Sequence, residues 1–250
     1  MTNYIKNPNL PQSRVATAII SDTDKRIIEF LESFEIKLLF TQRNKSIDPA
    51  ISTHADINAF HCGNKILILD KSQPELFKSL SDLGFEPKYT EAPVSGEYPS
   101  DCKLNCTCVG NRIFGKLSAL DITVLDLEEF EKINVNQGYS KCSTCVVDES
   151  AVITDDVSIQ KACQKENIDV LLIEKGDVLL SGHEYGFIGG ASTLISKNHI
   201  AFFGDIEKHK NFKQIEAFLK FHGCGYSYIK NYPLTDIGGI IPLLERTRIR

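Results

Sequence analysis

His54 and Asp56 are the first residues of this 250-residue chain whose types and spacing could do chemistry. Read as part of a strand, a His-x-Asp step puts both side chains on one face about 7 Å apart, which suits a ligand or a metal ion. The bland alternative is a pair of satisfied polar groups at a strand end. His61 follows them, and Asp236, two residues before Gly238 on the same strand face, could supply a second carboxylate. Five of the eight cysteines crowd into one stretch: Cys102, Cys106, Cys108, Cys142 and Cys145. Their spacing could suit zinc or an iron–sulfur cluster. Packing competes and is favoured, because Cys102, Cys106 and Cys108 share strand parity and a buried thiol packs as a small hydrophobe. A nucleophilic Cys102 or Cys142 would need a base within reach, and the sequence reveals none. His183 and Glu184 read as part of a loop rim or as solvated residues, with the solvated reading favoured. The Gly189-Gly190 pair lacks the following Gly-x-x-Gly of a dinucleotide fold, so close backbone approach explains it better. No metal and no cofactor is expected.

The elements that must position these residues repeat. Asn58-Ala-Phe-His-Cys-Gly63-Asn64-Lys-Ile-Leu-Ile matches Asn105-Cys-Thr-Cys-Val-Gly110-Asn111-Arg-Ile-Phe-Gly in pattern. In each, a half-polar run meets a Gly-Asn turn and then an apolar run, the signature of a hairpin. A helix and a further strand follow, and the unit recurs about every 45 residues, a period that fixes architecture before anything else. The first helix is expected after Asp22 or Thr23, with Ile27, Ile28, Leu31 and Phe34 on one face. The second is expected after a Ser72-Gln-Pro-Glu75 capping box and to end at Gly84. The third unit offers only a short helix around Leu127 to Ile133, whereas the fourth and fifth predict helices over about 157–166 and 212–221. Asn58, Asn105, Thr144, Ser192 and Gly238 hold equivalent places by this reading. All are small, as a closed pseudo-symmetric ring requires at one level. That register makes Cys106 and Cys145 equivalents of Ala59 and Thr193, which again points to packing. The units run approximately over 15–45, 52–92, 98–135, 139–180 and 187–232, with a closing strand over 234–243, and 1–250 is expected to form one domain.

Composition sets outer limits. Apolar residues make up 42% and charged residues 24%, the mixture of a globular protein. The net charge of −5 and scattered basic residues give no footprint for nucleic acid. The basic end Arg246-Thr-Arg-Ile-Arg250 reads as a solvated tail. No run of 18 apolar residues predicts a membrane span, and the polar, Pro-punctuated start is unlike a signal peptide. The expectation is a cytoplasmic protein with reduced cysteines.

Five such units closed by the last strand resemble the pentein fold of the guanidino-group-modifying enzymes. Three segments carry the resemblance. His54-Ala-Asp-Ile-Asn-Ala is similar to the family's Pro-Asp-x-x-Phe-x entry to its second unit. Tyr139-Ser-Lys-Cys-Ser-Thr is similar to its His-Leu-Lys-Ser-Phe-Cys, and Ile237-Gly-Gly-Ile-Ile-Pro-Leu to its Arg-Cys-Met-Ser-Met-Pro-Leu. The resemblance implies an α/β fold, a five-fold pseudo-symmetric α/β-propeller of strand-hairpin-strand-helix-strand units. It also implies a site on the axis, where the family uses a Cys on the final strand, a His in the fourth unit and carboxylates around the guanidinium. Here those places fall on Gly238, which has no nucleophile, on Tyr139, a poor base near neutral pH, and on Asn105, which cannot neutralise a cation. The residues then expected to line a ligand site are His54, Asp56, Asn105, Tyr139, Lys141 and Asp236. The expected function is binding of a small polar molecule, guanidino- or amidine-like, without covalent chemistry. The alternatives are a hydrolase or transferase with a rearranged site and a non-catalytic interaction protein.

Overall fold

The computed structural model describes residues 1–247. Arg248 to Arg250 of the basic end lie outside the described residues. A short N-terminal strand, β1 (Thr2–Tyr4), which the repeat reading does not include, precedes the first unit. That unit comprises β2 (Val15–Ile20), α1 (Lys25–Glu32) and β3 (Lys37–Phe40). The second has α2 (Ala55–Asn58), β4 (Ala59–Gly63), β5 (Ile66–Leu69), α3 (Pro74–Asp82) and β6 (Glu86–Tyr89). The third has β7 (Thr107–Val109), β8 (Arg112–Gly115), α4 (Ile122–Leu125) and β9 (Glu131–Asn134). The fourth has β10 (Thr144–Asp148), β11 (Ala151–Thr154), α5 (Val157–Lys165) and β12 (Asp169–Leu172). The fifth has β13 (Ser192–Ser196), β14 (His199–Phe202), α6 (Phe212–Phe221) and β15 (Gly225–Tyr228), and β16 (Ile240–Arg246) ends the series.

Each unit builds its own small sheet from an antiparallel hairpin and a parallel third strand reached through a helix. The first unit has no hairpin partner of its own. β16 supplies it, pairing antiparallel with β2 on one side and with β1 on the other, so that Thr2 faces Arg246 and Ile20 faces Ile240. The inner strands then pack on one another, β4 on β16, β16 on β13, β13 on β10 and β10 on β7. Outside them, each helix buries its apolar stripe on its sheet, as Ile27 and Leu31 do in α1 and Ile215 and Leu219 in α6.

Local chemistry explains several departures from the expected boundaries. Asp24, not Asp22 or Thr23, caps α1 by accepting from the Arg26 amide. No capping box forms at Ser72; Gln73 occupies the cap, and its side chain instead bonds the Gln42 carbonyl and Asn58. The third unit's helix lies at Ile122–Leu125, capped by Asp121, and Glu131–Asn134 is a strand. Asp121 outranks the apolar spacing of Leu127 to Ile133 because its carboxylate binds the Thr123 amide there. Gly84 stands just beyond α3 with φ +83°, as a helix-ending glycine should.

Register needs one correction. Leu69, Thr154, Phe202 and Ile20 close their strands opposite Ala59, Thr144, Ser192 and Ile240. The equivalents of Asn58 are therefore Ser143, Ala191 and Gly239, one residue away from Thr144, Ser192 and Gly238. The similarity in side-chain type misleads: Thr144 and Ser192 turn their hydroxyls back to the carbonyls of Ser140 and Ile188, as Asn58 turns its amide to that of His54. These bonds close the turn that enters each inner strand.

His61, on β4, is 3% exposed, and desolvation pushes its imidazole down to about 4. The unfolded chain takes up a proton near pH 6.5, whereas the folded one refuses it until about 4, so stability is lost as pH drops from 6.5 to about 4. His61→Gln should flatten the acid limb of urea-unfolding free energy there; an unchanged slope would show that His61 is not held neutral.

Candidate functional site

All five turns that enter the inner strands meet at one end of the molecule. His54, Asp56 and Asn58 come from the turn before β4, and Asp101 and Asn105 from that before β7. Tyr139 to Ser143 precede β10, Phe187 to Ala191 precede β13, and Asp236 to Gly239 precede β16. Close approach is built into the last two. A Cβ on Gly189 would stand 2.5 Å from the Lys141 carbonyl oxygen, and one on Gly190 would overlap the Asp236 carboxylate. The glycine pair thus serves close backbone approach at the axis.

His54 and Asp56 do not lie on a strand. His54 caps the single turn of α2 and Asp56 lies within it, because the Asn58 amide bonds back to His54 and holds the segment helical. Their polar ends nonetheless come together at Cys142. A His54 ring nitrogen, an Asp56 oxygen and Cys142 Sγ all lie within 4.8 Å of one another. The Cys142 thiol donates to Asp56 Oδ2 at 2.8 Å, and Asn105 Nδ2 donates to the same sulfur at 3.2 Å. Asn105 Oδ1 in turn accepts from the Lys141 amide at 2.8 Å, which braces the turn carrying Cys142. Asp236 accepts from the amides of Phe187 at 2.9 Å and Gly238 at 2.8 Å, and its Oδ1 lies 4.0 Å from His54 Nδ1.

Burial sets the charge states. His54, Asp56, Cys142 and Asp236 are each under 5% exposed. Desolvation holds the His54 imidazole below its ordinary value and so neutral. It pushes Asp56 up to about 7, against the pull of Lys141. Cys142 is driven well above the usual thiol value by burial and by Asp56, so it stands as a thiol donor. Within this cluster of four, two buried polar atoms have no hydrogen-bond partner, His54 Nδ1 and Asp56 Oδ1.

Beside this cluster opens a pocket of about 260 Å³, lined by Ile51, His54, Ile57, Tyr139, Cys142, Leu180, His183, Glu184, Tyr185, Phe187 and Asp236. Of the expected ligand residues, His54, Tyr139 and Asp236 line it. Asp56 stands behind Cys142, Asn105 acts through Cys142, and Lys141 faces a narrow cavity on the other side of Asp56, with His61 and Cys106. The Tyr139 hydroxyl donates to Asp101 at 2.5 Å, and burial with that carboxylate raises it far above the ordinary phenol, so it cannot act as a base. His183 and Glu184 are exposed and also line the pocket, His183 bonding Asp48 at 3.1 Å.

The cysteines separate. Cys106 and Cys108 pack in one apolar cluster and Cys145 in another, while Cys102 bonds Asp101. Only Cys142 of the five lines the pocket. Its signal in the sequence is its place in Tyr139-Ser-Lys-Cys, three residues after a position already marked for chemistry.

Comparison with known proteins places this geometry. Residues 19–241 match a family model described as "Family of unknown function (DUF6873)". The chain belongs to that family. A search of curated proteins gives no match. Solved structures do share the fold. The amidinotransferase SxtG of the saxitoxin pathway from Microseira wollei matches at TM-score 0.61 and 11% identity, over 98% of both chains. Inosamine-phosphate amidinotransferase StrB1 from Streptomyces griseus matches at TM-score 0.63 and 8% identity, again over 98% of both. DDAH from Pseudomonas aeruginosa, solved in complex with citrulline, matches at 0.56 and 9%, over 94% of this chain and all of that one. This family member therefore has the pentein fold of guanidino-modifying enzymes. Among the described residues no helix is long and apolar enough to cross a membrane.

Gly238 and Gly239 both have positive φ, +72° and +60°. Neither the expected place nor the corrected one offers a nucleophile on the closing strand.

Proposed function

We propose that the chain binds a small planar cation, an amidinium or guanidinium, in the axial pocket and holds it without a covalent bond. The observation that carries this reading is Asp236, a buried carboxylate on the pocket wall whose two amide bonds leave lone pairs free. Glu184 lines the same wall. Tyr139, Tyr185 and Phe187 supply flat faces for a delocalised cation. His54, held neutral, adds no opposing charge. Two of the neighbours are amidinotransferases by name, which supports the ligand class.

A matched pair of probes tests it. Arginine and agmatine should raise the melting temperature, and citrulline, isosteric at the head but neutral, should not. Saturation near 100 times Kd contributes about 2.7 kcal/mol, or roughly 5–10 °C for a chain of this length. Asp236→Asn should remove the shift, and Glu184→Gln, away from the packed cluster, should weaken it. Equal shifts with citrulline, or none with any amidine or guanidine, would sink the reading.

One observation favours a second reading, a hydrolase or transferase. The Cys142 thiol and the His54 imidazole share the pocket wall within 4.8 Å. Intact-protein mass after incubation with guanidino compounds separates the two. An adduct absent from Cys142→Ser would favour covalent catalysis over binding.

A further inference from the structure

We propose that His54, Asp56 and Cys142 form a mononuclear site for a divalent transition metal, zinc by donor type, at the inner wall of the axial pocket. Nitrogen, carboxylate oxygen and sulfur donors meet within 4.8 Å, close enough to converge on one ion by small side-chain rotations. Two of the donor groups carry unpartnered buried atoms, His54 Nδ1 and Asp56 Oδ1, in residues 4% and 2% exposed. A buried polar atom without a partner costs free energy that a bound ion would recover. The mixed set excludes calcium and magnesium, which select all-oxygen shells, and fits zinc, which accepts all three donor types.

The surroundings support an ion as well as the donors do. Asn105 Nδ2 already points at Cys142 Sγ, and its Oδ1 fixes the Lys141–Cys142 backbone, as a supporting group around a metal thiolate should. Asp236 Oδ1 stands 4.0 Å from His54 Nδ1 and adds a carboxylate beside the site, which favours a bound cation. Lys141 opposes a cation, but it faces the cavity on the other side of Asp56 rather than the pocket. His54 and Cys142 both line the pocket, so the fourth tetrahedral position opens into it. Binding forms a metal–sulfur bond and releases the thiol proton to solvent; a protonated Asp56 would release a second. The site does not depend on the amidinium reading, although the two cations would compete for the space above Cys142.

Cobalt reports thiolate ligation directly. Chelator-stripped, reduced protein titrated with Co²⁺ should develop a sulfur-to-cobalt charge-transfer band at one equivalent, and Zn²⁺ should displace it. Cys142→Ser should abolish the band, while Cys102→Ser keeps it. Asn105→Ala should weaken zinc by about 10-fold or more. If Cys142→Ser fails to fold, His54→Gln serves, with an altered band and weaker binding expected. No thiolate band in the wild type, or a band that survives in Cys142→Ser, overturns the site. Because no guanidino compound enters this experiment, its failure is separable from failure of the ligand reading.

Discussion

Asp56→Asn stabilises the metal-free protein at about pH 8 by on the order of 4 kcal/mol, and the gain shrinks towards zero near pH 4. Asp56 is 2% exposed and its folded carboxyl is pushed up to about 7 from 3.8, chiefly by desolvation. A carboxyl whose pKa rises on folding binds more protons in the native state than in the unfolded one. Stability is then lost as pH climbs from 3.8 through about 7, and above that the full cost is present. Asparagine keeps the shape and an oxygen for the Cys142 thiol, and removes the charge. Urea unfolding of both proteins at the two pH values measures the difference. An equal gain at both, or a loss at pH 8, would mean that burial does not penalise this carboxylate. The same variant should lose the proposed metal, which sets stability against function at a single atom pair.

Restoring a thiol at the closing strand should fail. Gly238→Cys is expected to cost about 3 kcal/mol or more, by adding left-handed strain to overpacking. Gly238 has φ +72°, and a Cβ there would stand 2.6 Å from His54 Cγ and 2.8 Å from its Cα. The clash with the His54 main chain matters most, since backbone cannot swing aside as a flexible side-chain end can. His54 thus fills the room that a side chain at 238 would need. Calorimetric melting gives the cost, with Gly238→Ala separating the steric part from any thiol chemistry. A Gly238→Cys protein as stable as the wild type would refute the packing argument.

The architecture is legible in the sequence because repeated hairpins are local. Gly63 and Asn64 have φ +96° and +52°, and such turns announce themselves in two residues. Less of the site is legible, for a physical reason. The polar cluster is assembled from five turns far apart in the chain, and spacing within one turn does not reveal what faces it across the axis. His54 and Asp56 stand out, but as strand neighbours, since the helical turn depends on a bond from Asn58 that no periodicity shows. Cys142 looks like its packed neighbours by residue type. What separates it is the carboxylate of Asp56, 86 positions away. Tyr139 reads as a poor base from its type alone, yet the group that seals this, Asp101, sits on another unit.

The pairing of β16 with β2 reaches beyond geometry. The first sheet to leave the ribosome contains β2 and β3 but lacks its hairpin partner until β16 emerges, after all the other strands. Ile19 and Ile20, fully buried at the finish, have no inner-strand cover until then. Assembly of the ring, and with it of the Asp236 wall of the pocket, therefore waits for β16. Shielding an open β2 edge during translation is a task the cell must meet for this chain.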